Sequence, residues 1–334
     1  MSEIRQDPTT KEWVIIATER RKRPSDFMHR SSKTETVGFL RSCPFCPGNE
    51  NMATPAVLEY ITDSSKGGWR VRVFSNKFPA VTPDAGNFRK VEQNMFLSLD
   101  AWGHHEVIVE SPTHNKHIAL MNDTEVSDVL SAYRDRYTAL AQTPNVKSII
   151  IFKNHGLAAG TSVEHPHSQL VATTIVPRHM RIKYDVAISY YDDNSHCLYA
   201  DLRDSELEAG TRLITATAKF VVFHPFASHR PFETWIMPLA NQASFSQIGD
   251  EDMHYLAKVL RITLLKLHRG LENPDFNLVI ENSPVGEEHA DFYLWHIKII
   301  PRLTETAGFE IGSGIFINTA LPEETARFMR DVEV

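Results

Sequence analysis

The chain has 334 residues, enough for two ordinary domains or for one domain and its internal copy. Its formal charge of −7, from 35 basic and 42 acidic residues, gives no net pull toward nucleic acid or an anionic membrane surface. No apolar run approaches the roughly 20 residues that span a bilayer, and the opening residues lack the apolar stretch of a secretory signal. A cytoplasmic protein with small-molecule partners is expected.

The first hundred residues read as mostly β and loop, with short alternating runs such as Trp13 to Ile16 and Trp69 to Phe74. His105 to Glu110 alternates as a strand and is closed by Ser111-Pro112, since proline cannot donate to a ladder. Asn122 three residues before Glu125 has the form of a capping box. Val126, Val129, Leu130, Tyr133, Tyr137 and Leu140 then recur at helical spacing. Strands are expected over Val146 to Phe152 and over Gln169 to Val176, the latter ending at Pro177.

The same order returns downstream. A strand over Phe232 to Met237 is followed by a helix from about Asp250 to Leu271, then by strands over Phe276 to Ile280 and Phe292 to Ile300. An internal duplication with a period on the order of 125 residues explains this economically. The boundary expected from it separates residues 1–177, with the chemistry, from 178–334, the copy. Counted back from the closing prolines, His289 stands where His165 stands and Asp291 where His167 stands. Between the copies, Arg178 to Glu208 is charged and tyrosine-rich without clear periodicity, which suits a linker or a lid.

Asn154 to Gln169 holds the densest chemistry. Gly156 and Gly160 let backbone N–H groups turn inward, and Thr161 and Ser162 add hydroxyl donors, together a cradle for phosphate oxygens. His165 and His167 flank Pro166, so on an extended segment both point to one side and Gln169 continues the row. One imidazole can bind metal while the other faces substrate. A neutral imidazole is a competent nucleophile toward phosphorus. Cys43 and Cys46 form the chain's one C-x-x-C, which in a reducing compartment points to metal or redox chemistry. A tetrahedral site needs two more ligands; His114 and His165 are candidates, though spacing alone does not choose them from sixteen histidines. Cys197 reads as a free thiol.

These residues resemble the galactose-1-phosphate uridylyltransferase family of the histidine triad superfamily. The likeness runs nearly end to end, through Asp7-Pro8, Trp13-Val14-Ile15, Arg20 to Pro24, Cys43-Pro44-Phe45-Cys46, Asn76 with Phe78, Glu110-Ser111-Pro112 with His114, the Asn154 to Gln169 loop, Pro231-Phe232-Glu233 and Gly308-Phe309-Glu310. The resemblance implies an α/β (α+β) fold of two tandem histidine-triad-like repeats, each an antiparallel sheet with a packed helix. It implies a homodimer whose active site is completed across the subunit boundary, and one structural Zn2+ per chain on Cys43, Cys46, His114 and His165. Iron fits similar thiolate sites. Some family members ligate a second metal in the second copy. Here His296 stands there alone with Lys298 at a ligand position, so no second metal is expected.

The resemblance also implies double displacement. His167 attacks the α-phosphorus of a nucleotide sugar, UDP-glucose or ADP-glucose, and holds a nucleotidyl group for a sugar phosphate or a small anion. Gln169 donates to a phosphoryl oxygen as charge builds there. Asn154, Gly160, Thr161 and Ser162 hold phosphates; Arg20, Arg23, Asn76 and Phe78 lie near the nucleotide; Phe309 and Glu310 belong to the substrate site. Uridylyl transfer from UDP-glucose to galactose 1-phosphate ranks first. Two features depart from it: Thr304, Glu305 and Thr306 replace a lysine that contacts the sugar phosphate, and the run Gly308 to Asn318 is similar to the ADP-glucose phosphorylase-like branch. Pro166 stays with the uridylyltransferases. Adenylyl transfer to phosphate or another anion is therefore the alternative, with a non-catalytic zinc-stabilised nucleotide-binding module as the lesser one. Ser168 is expected to face away from the row, so that its replacement by glycine would do little to the chemistry.

Overall fold

A computed structural model describes residues 2–20, 24–27, 37–62 and 68–334. Ten strands make one sheet: β1 (Ala56–Ile61), β2 (Trp69–Ser75), β3 (Gly103–Val109), β4 (Ser148–His155), β5 (His167–Thr173), β6 (Leu213–Ala216), β7 (Phe220–Phe223), β8 (Thr234–Pro238), β9 (Phe276–Glu281) and β10 (His296–Pro301). Their order is β6-β7-β8-β10-β9-β4-β5-β3-β2-β1, and every pairing is antiparallel. The second five strands thus repeat the first five in mirrored order about the β9–β4 seam. A smaller three-stranded sheet joins Glu3–Gln6, Trp13–Ile16 and Phe316–Asn318, so the two ends of the chain meet.

One face of the sheet is covered by α1 (Asp123–Ala141) and α4 (Asp250–Gly270). The capping box at Asn122 forms as the sequence predicts: the Glu125 N–H donates to Asn122 Oδ1 at 2.9 Å, and the Asn122 N–H donates to Glu125 Oε2 at 2.8 Å. The apolar stripes predicted on both helices are buried against Ile149, Ile151, Leu170, Leu278, Ile297 and Ile299. Each fully buried side chain of this kind contributes about 1.5–3 kcal/mol, so this layer carries most of the core. Strand alternation then sends Asn154, His167, Gln169, Asn277, Glu281, His296 and Lys298 to the opposite face.

Over the second half that opposite face is closed. Residues 178–208, expected as a linker or lid, are instead two helices, α2 (Arg178–Asn194) and α3 (Leu198–Ala209). Ala187, Tyr199 and Ala200 pack on Val221, Phe223, Trp235 and Met237, so this segment is a fixed layer. Its periodicity is masked because half-buried tyrosines and a buried lysine share its inner face. Lys183 Nζ, 2% exposed, donates to Glu281 Oε1 at 2.5 Å, and Lys298 Nζ donates to Glu233 Oε1 at 2.9 Å. Burial would raise the Glu281 carboxyl, but Lys183, His296 and Lys298 hold it well below the usual carboxylate range.

Three sequence expectations change. The strand expected from Phe292 begins only at His296, because the Trp295 N–H donates to the Gln242 carbonyl instead of a ladder partner. The strand expected from Phe232 begins at Thr234, since Phe232 turns with φ +61°. The counterpart of His167 is His296 rather than Asp291: each opens its strand, β5 and β10. β10 runs as far as Pro301 itself while β5 stops at Thr173, before Pro177, so counting from the prolines slips the register.

Lys183→Ala should lower the unfolding free energy by about 3–5 kcal/mol, because it strands the Glu281 carboxylate without its cation. In the wild type the contribution of Glu281 is present above its unfolded pKa and lost as acid protonates it. Denaturant titrations at pH 7 and pH 3 should therefore show the difference between the two proteins shrinking at the lower pH.

Candidate active site and metal centre

The first half of the same face is open. Continuing the β4–β5 register two residues past the Phe152–Gln169 pair sets Asn154 across from His167. His165 Nε2 donates to the Ser111 carbonyl at 2.7 Å, which leaves Nδ1 turned toward Cys43 Sγ and Cys46 Sγ, 3.6 Å from each. His114 Nδ1 lies 3.4 Å from Cys46 Sγ. All four ligand atoms fall within 4.8 Å of one another, and all four residues are buried. Metal–sulfur bonds of about 2.3 Å and metal–nitrogen bonds of about 2.0–2.1 Å at tetrahedral angles give sulfur–nitrogen edges of about 3.5 Å. The cluster has that size, so these residues can hold a metal ion. Backbone N–H groups of Leu40 and Phe45 donate to Cys46 Sγ and Cys43 Sγ at 3.3 and 3.4 Å, supporting the sulfurs from outside.

The metal loop also touches the neighbouring histidine. The Phe45 ring packs edge-on against His167 with centroids 5.3 Å apart. His167, 8% exposed, donates from Nδ1 to the His165 carbonyl at 2.8 Å. That bond fixes the tautomer and leaves the Nε2 lone pair free, the form a nucleophile needs. Burial pushes the His167 imidazole pKa down and favours this neutral form.

Behind the strand lies a group that the sequence pattern does not reveal. Lys153 Nζ donates to Glu110 Oε2 at 2.8 Å and to the His167 carbonyl at 3.2 Å. Ser168 faces away from the His-Gln row, as alternation predicts, and donates to Glu110 Oε1 and contacts Tyr133 Oη at 2.5 Å. Lys153 and Glu110 are almost wholly buried. The one signal in the sequence is a lysine among the β-branched residues of β4.

The phosphate cradle differs from expectation. Ala158 N–H donates to Asp275 Oδ2 at 2.7 Å, while the N–H groups of Ala159 and Thr161 donate to the Gly156 carbonyl and that of Gly160 to the Leu157 carbonyl. Three of these donors are spent inside the loop and the fourth on Asp275. Gly156 is required, with φ +86° and the Asp275 carboxyl where a Cβ would stand. Gly160 and Ser162 are exposed, and Thr161 Oγ1 donates to the Val163 carbonyl at 3.3 Å.

Asn76 Oδ1 accepts from the Phe78 N–H at 2.9 Å, and Phe78 is 83% exposed beside the row. Arg20 closes the 3-10 turn Thr18–Arg20, and Arg23 lies outside the described residues. Phe309 and Glu310 sit on α5 (Gly308–Ser313), where Glu310 accepts from the Ala307 N–H. Among the described residues no hydrogen bond or ring contact joins either of them to His167 or Gln169. No helix among the described residues is long and apolar enough to cross a membrane.

An antiparallel α/β sheet with an open histidine face beside a Cys2His2 centre defines an enzyme of the nucleotidyl-transferring kind, and comparison with known proteins agrees. Residues 1–177 match the model for the galactose-1-phosphate uridyl transferase N-terminal domain. An ADP-glucose phosphorylase of Arabidopsis thaliana is 32% identical over 99% of this chain and 93% of its own length. The galactose-1-phosphate uridylyltransferase of Thermotoga maritima is 28% identical over 100% and 99%. The crystal structure of an Arabidopsis thaliana ADP-glucose phosphorylase with bound ADP-glucose superposes with a TM-score of 0.83 at 29% identity, covering 100% of this chain and 99% of that one. The chain belongs to the galactose-1-phosphate uridyl transferase family and is a nucleotidyltransferase of that family.

Ser168→Gly removes a donor from a buried carboxylate and should destabilise the fold by about 1–3 kcal/mol, read as a shift in the denaturant midpoint. Strand alternation alone makes this residue a bystander; its buried bonds give it a structural part.

Proposed function

We propose that this enzyme transfers a nucleotidyl group from a nucleoside diphosphate hexose through a covalent intermediate on His167. The observation that carries the reading is the Nδ1–H bond to the His165 carbonyl, which aims a free Nε2 lone pair across the open face. Nε2 attacks the α-phosphorus and the bond to the bridging oxygen breaks, its electron pair leaving with hexose 1-phosphate. An acceptor oxygen then attacks the same phosphorus, and the pair of the P–N bond returns to Nε2. Through both steps Nδ1 keeps its proton and donates it to the His165 carbonyl, which steadies the positive ring. Gln169 and Asn154 meet the phosphoryl oxygens as charge grows on them. Phe309 and Glu310, which make no hydrogen bond or ring contact with His167 among the described residues, would act from a second subunit of a homodimer.

Cys43, Cys46, His114 and His165 would hold zinc. With four protein ligands the ion has no open position, and bound there it ties the Cys43–Cys46 loop to the histidine strand rather than touching substrate. His165 and Phe45 transmit that restraint to His167.

For the donor, ADP-glucose with phosphate or another small anion as acceptor has the greater support. The Arabidopsis thaliana ADP-glucose phosphorylase is the more similar relative of the two, 32% against 28% identical, and Thr304 to Thr306 depart from the lysine that the family resemblance leads one to expect there. UDP-glucose with hexose 1-phosphate, ranked first on sequence, is the second reading, favoured by Pro166.

Incubating the protein with ADP-glucose or UDP-glucose without acceptor should give an acid-labile adenylyl or uridylyl adduct by intact mass spectrometry, absent in His167→Ala. An adduct that survives this substitution removes His167 as nucleophile. Cys43→Ala should lose about one metal ion per chain by elemental analysis, melt at a lower temperature and form the adduct more slowly. Metal retained at full stoichiometry would place the ion elsewhere.

A further inference from the structure

The open face bears a polar row that crosses five adjacent strands: Asn277 on β9, Asn154 on β4, His167 and Gln169 on β5, His105 on β3, and Asn76 just past β2. Two of its members, His105 and Asn277, have no part in the transfer itself. The polarity of their bonds is read from the backbone group that each one meets.

The Ala80 N–H can only donate, and it meets His105 Nδ1 at 3.0 Å. Nδ1 is therefore the acceptor of a neutral ring, and the ring proton sits on Nε2. Gln169 lies 2.8 Å from that nitrogen, so the atom it presents must be its carbonyl oxygen, Oε1. The Asn76 carboxamide, whose Oδ1 accepts from the Phe78 N–H, brings a competing NH2 to 3.2 Å from the same Nε2; the shorter contacts, with the Ala80 N–H and with Gln169, are the ones that set the tautomer. At the other end, the Ala159 carbonyl can only accept, and Asn277 Nδ2 meets it at 2.9 Å. The same NH2 group lies 2.8 Å from Asn154, which must present Oδ1. Both carboxamides beside His167 are thus held by their oxygens. Their NH2 groups are the ends that remain to face a phosphoryl group between them.

We infer that His105 and Asn277 are positioning residues, which lock the Gln169 and Asn154 carboxamides with their NH2 donors toward the phosphoryl group under attack at His167. The inference rests on the nucleotidyl-transfer reading and adds to it the source of the donors' orientation. A carboxamide free to turn over presents its oxygen to the phosphoryl oxygens in part of the population, and the aim has to be regained during the reaction. A preset donor avoids this reorganisation.

The test is a pair of double-substitution cycles on the full-length protein, read as the single-turnover rate of adduct formation with ADP-glucose, or with UDP-glucose where that donor labels. His105→Phe should slow this rate on the order of 10- to 100-fold, with donor affinity, metal content and melting temperature near wild type. In a Gln169→Ala background the same substitution should change the rate by no more than about 2-fold, since the group it aims is gone. Asn277→Ala should behave likewise against Asn154→Ala. A merely structural role would cost the same factor in both backgrounds. That result, or a wild-type rate for His105→Phe and Asn277→Ala alike, overturns the inference. If His105→Phe does not fold, the Asn277 cycle decides. An unlabelled wild type would instead refute nucleotidyl transfer itself, and this inference with it.

Discussion

The alternation of β5 is the constraint on which the rest of the site depends. Seven residues, His167 to Thr173, send Ser168, Leu170 and Ala172 into the packed side of the sheet and His167, Gln169 and Val171 to the open side. The buried set holds the strand in register, and a one-residue slip would invert every side chain. Beneath His167 the Lys153–Glu110 pair adds a second restraint, since Lys153 also donates to the His167 carbonyl. A buried ion pair is a modest source of net stability. Here it fixes the backbone of the residue read as nucleophile.

The Cys2His2 cluster ties parts of the chain far apart in sequence to that strand. Cys43 and His165 are separated by 122 positions, and the loop that carries Cys43 also sets Phe45 against the His167 ring. The candidate metal site and the residue read as nucleophile therefore share one structural unit, although an ion with four protein ligands would keep no open position for substrate and so take no part in the chemistry.

The two halves of the sheet show how one architecture serves two ends. His296 opens β10 as His167 opens β5, on the same face. Over the first half no α-helix among the described residues covers this face, and Phe45 of the Cys43–Cys46 loop packs onto its edge, on Phe74, Val107 and Val109. Over the second half α2 and α3 cover it, and Trp235 stacks on the His296 ring at 4.5 Å. Lys183–Glu281 and Lys298–Glu233 fill the space with paired charge. Asn277 lies at the seam, belonging to the second half by sequence and to the open row by its bonds.

By itself the sequence determined the repeated order of strand, helix, strand and strand, the capping box at Asn122, the buried stripes of α1 and α4, and the His-Gln row, because each follows from local period and residue type. The resemblance of its motifs to a known family named the four metal-site residues, and the structure brings them together. The tertiary structure alone decided which face is open and which closed, since the burial of α2 and α3 depends on which face of the sheet they dock against, including Glu281 98 positions from Lys183. It also decided that the loop's N–H groups serve Asp275 and the loop itself, that Ser168 and Lys153 meet at Glu110, and that His105 and Asn277 stand beside the carboxamides. Those contacts join residues 35 to 123 positions apart, and a sequence pattern carries no record of which distant polar groups the fold will bring within hydrogen-bond reach.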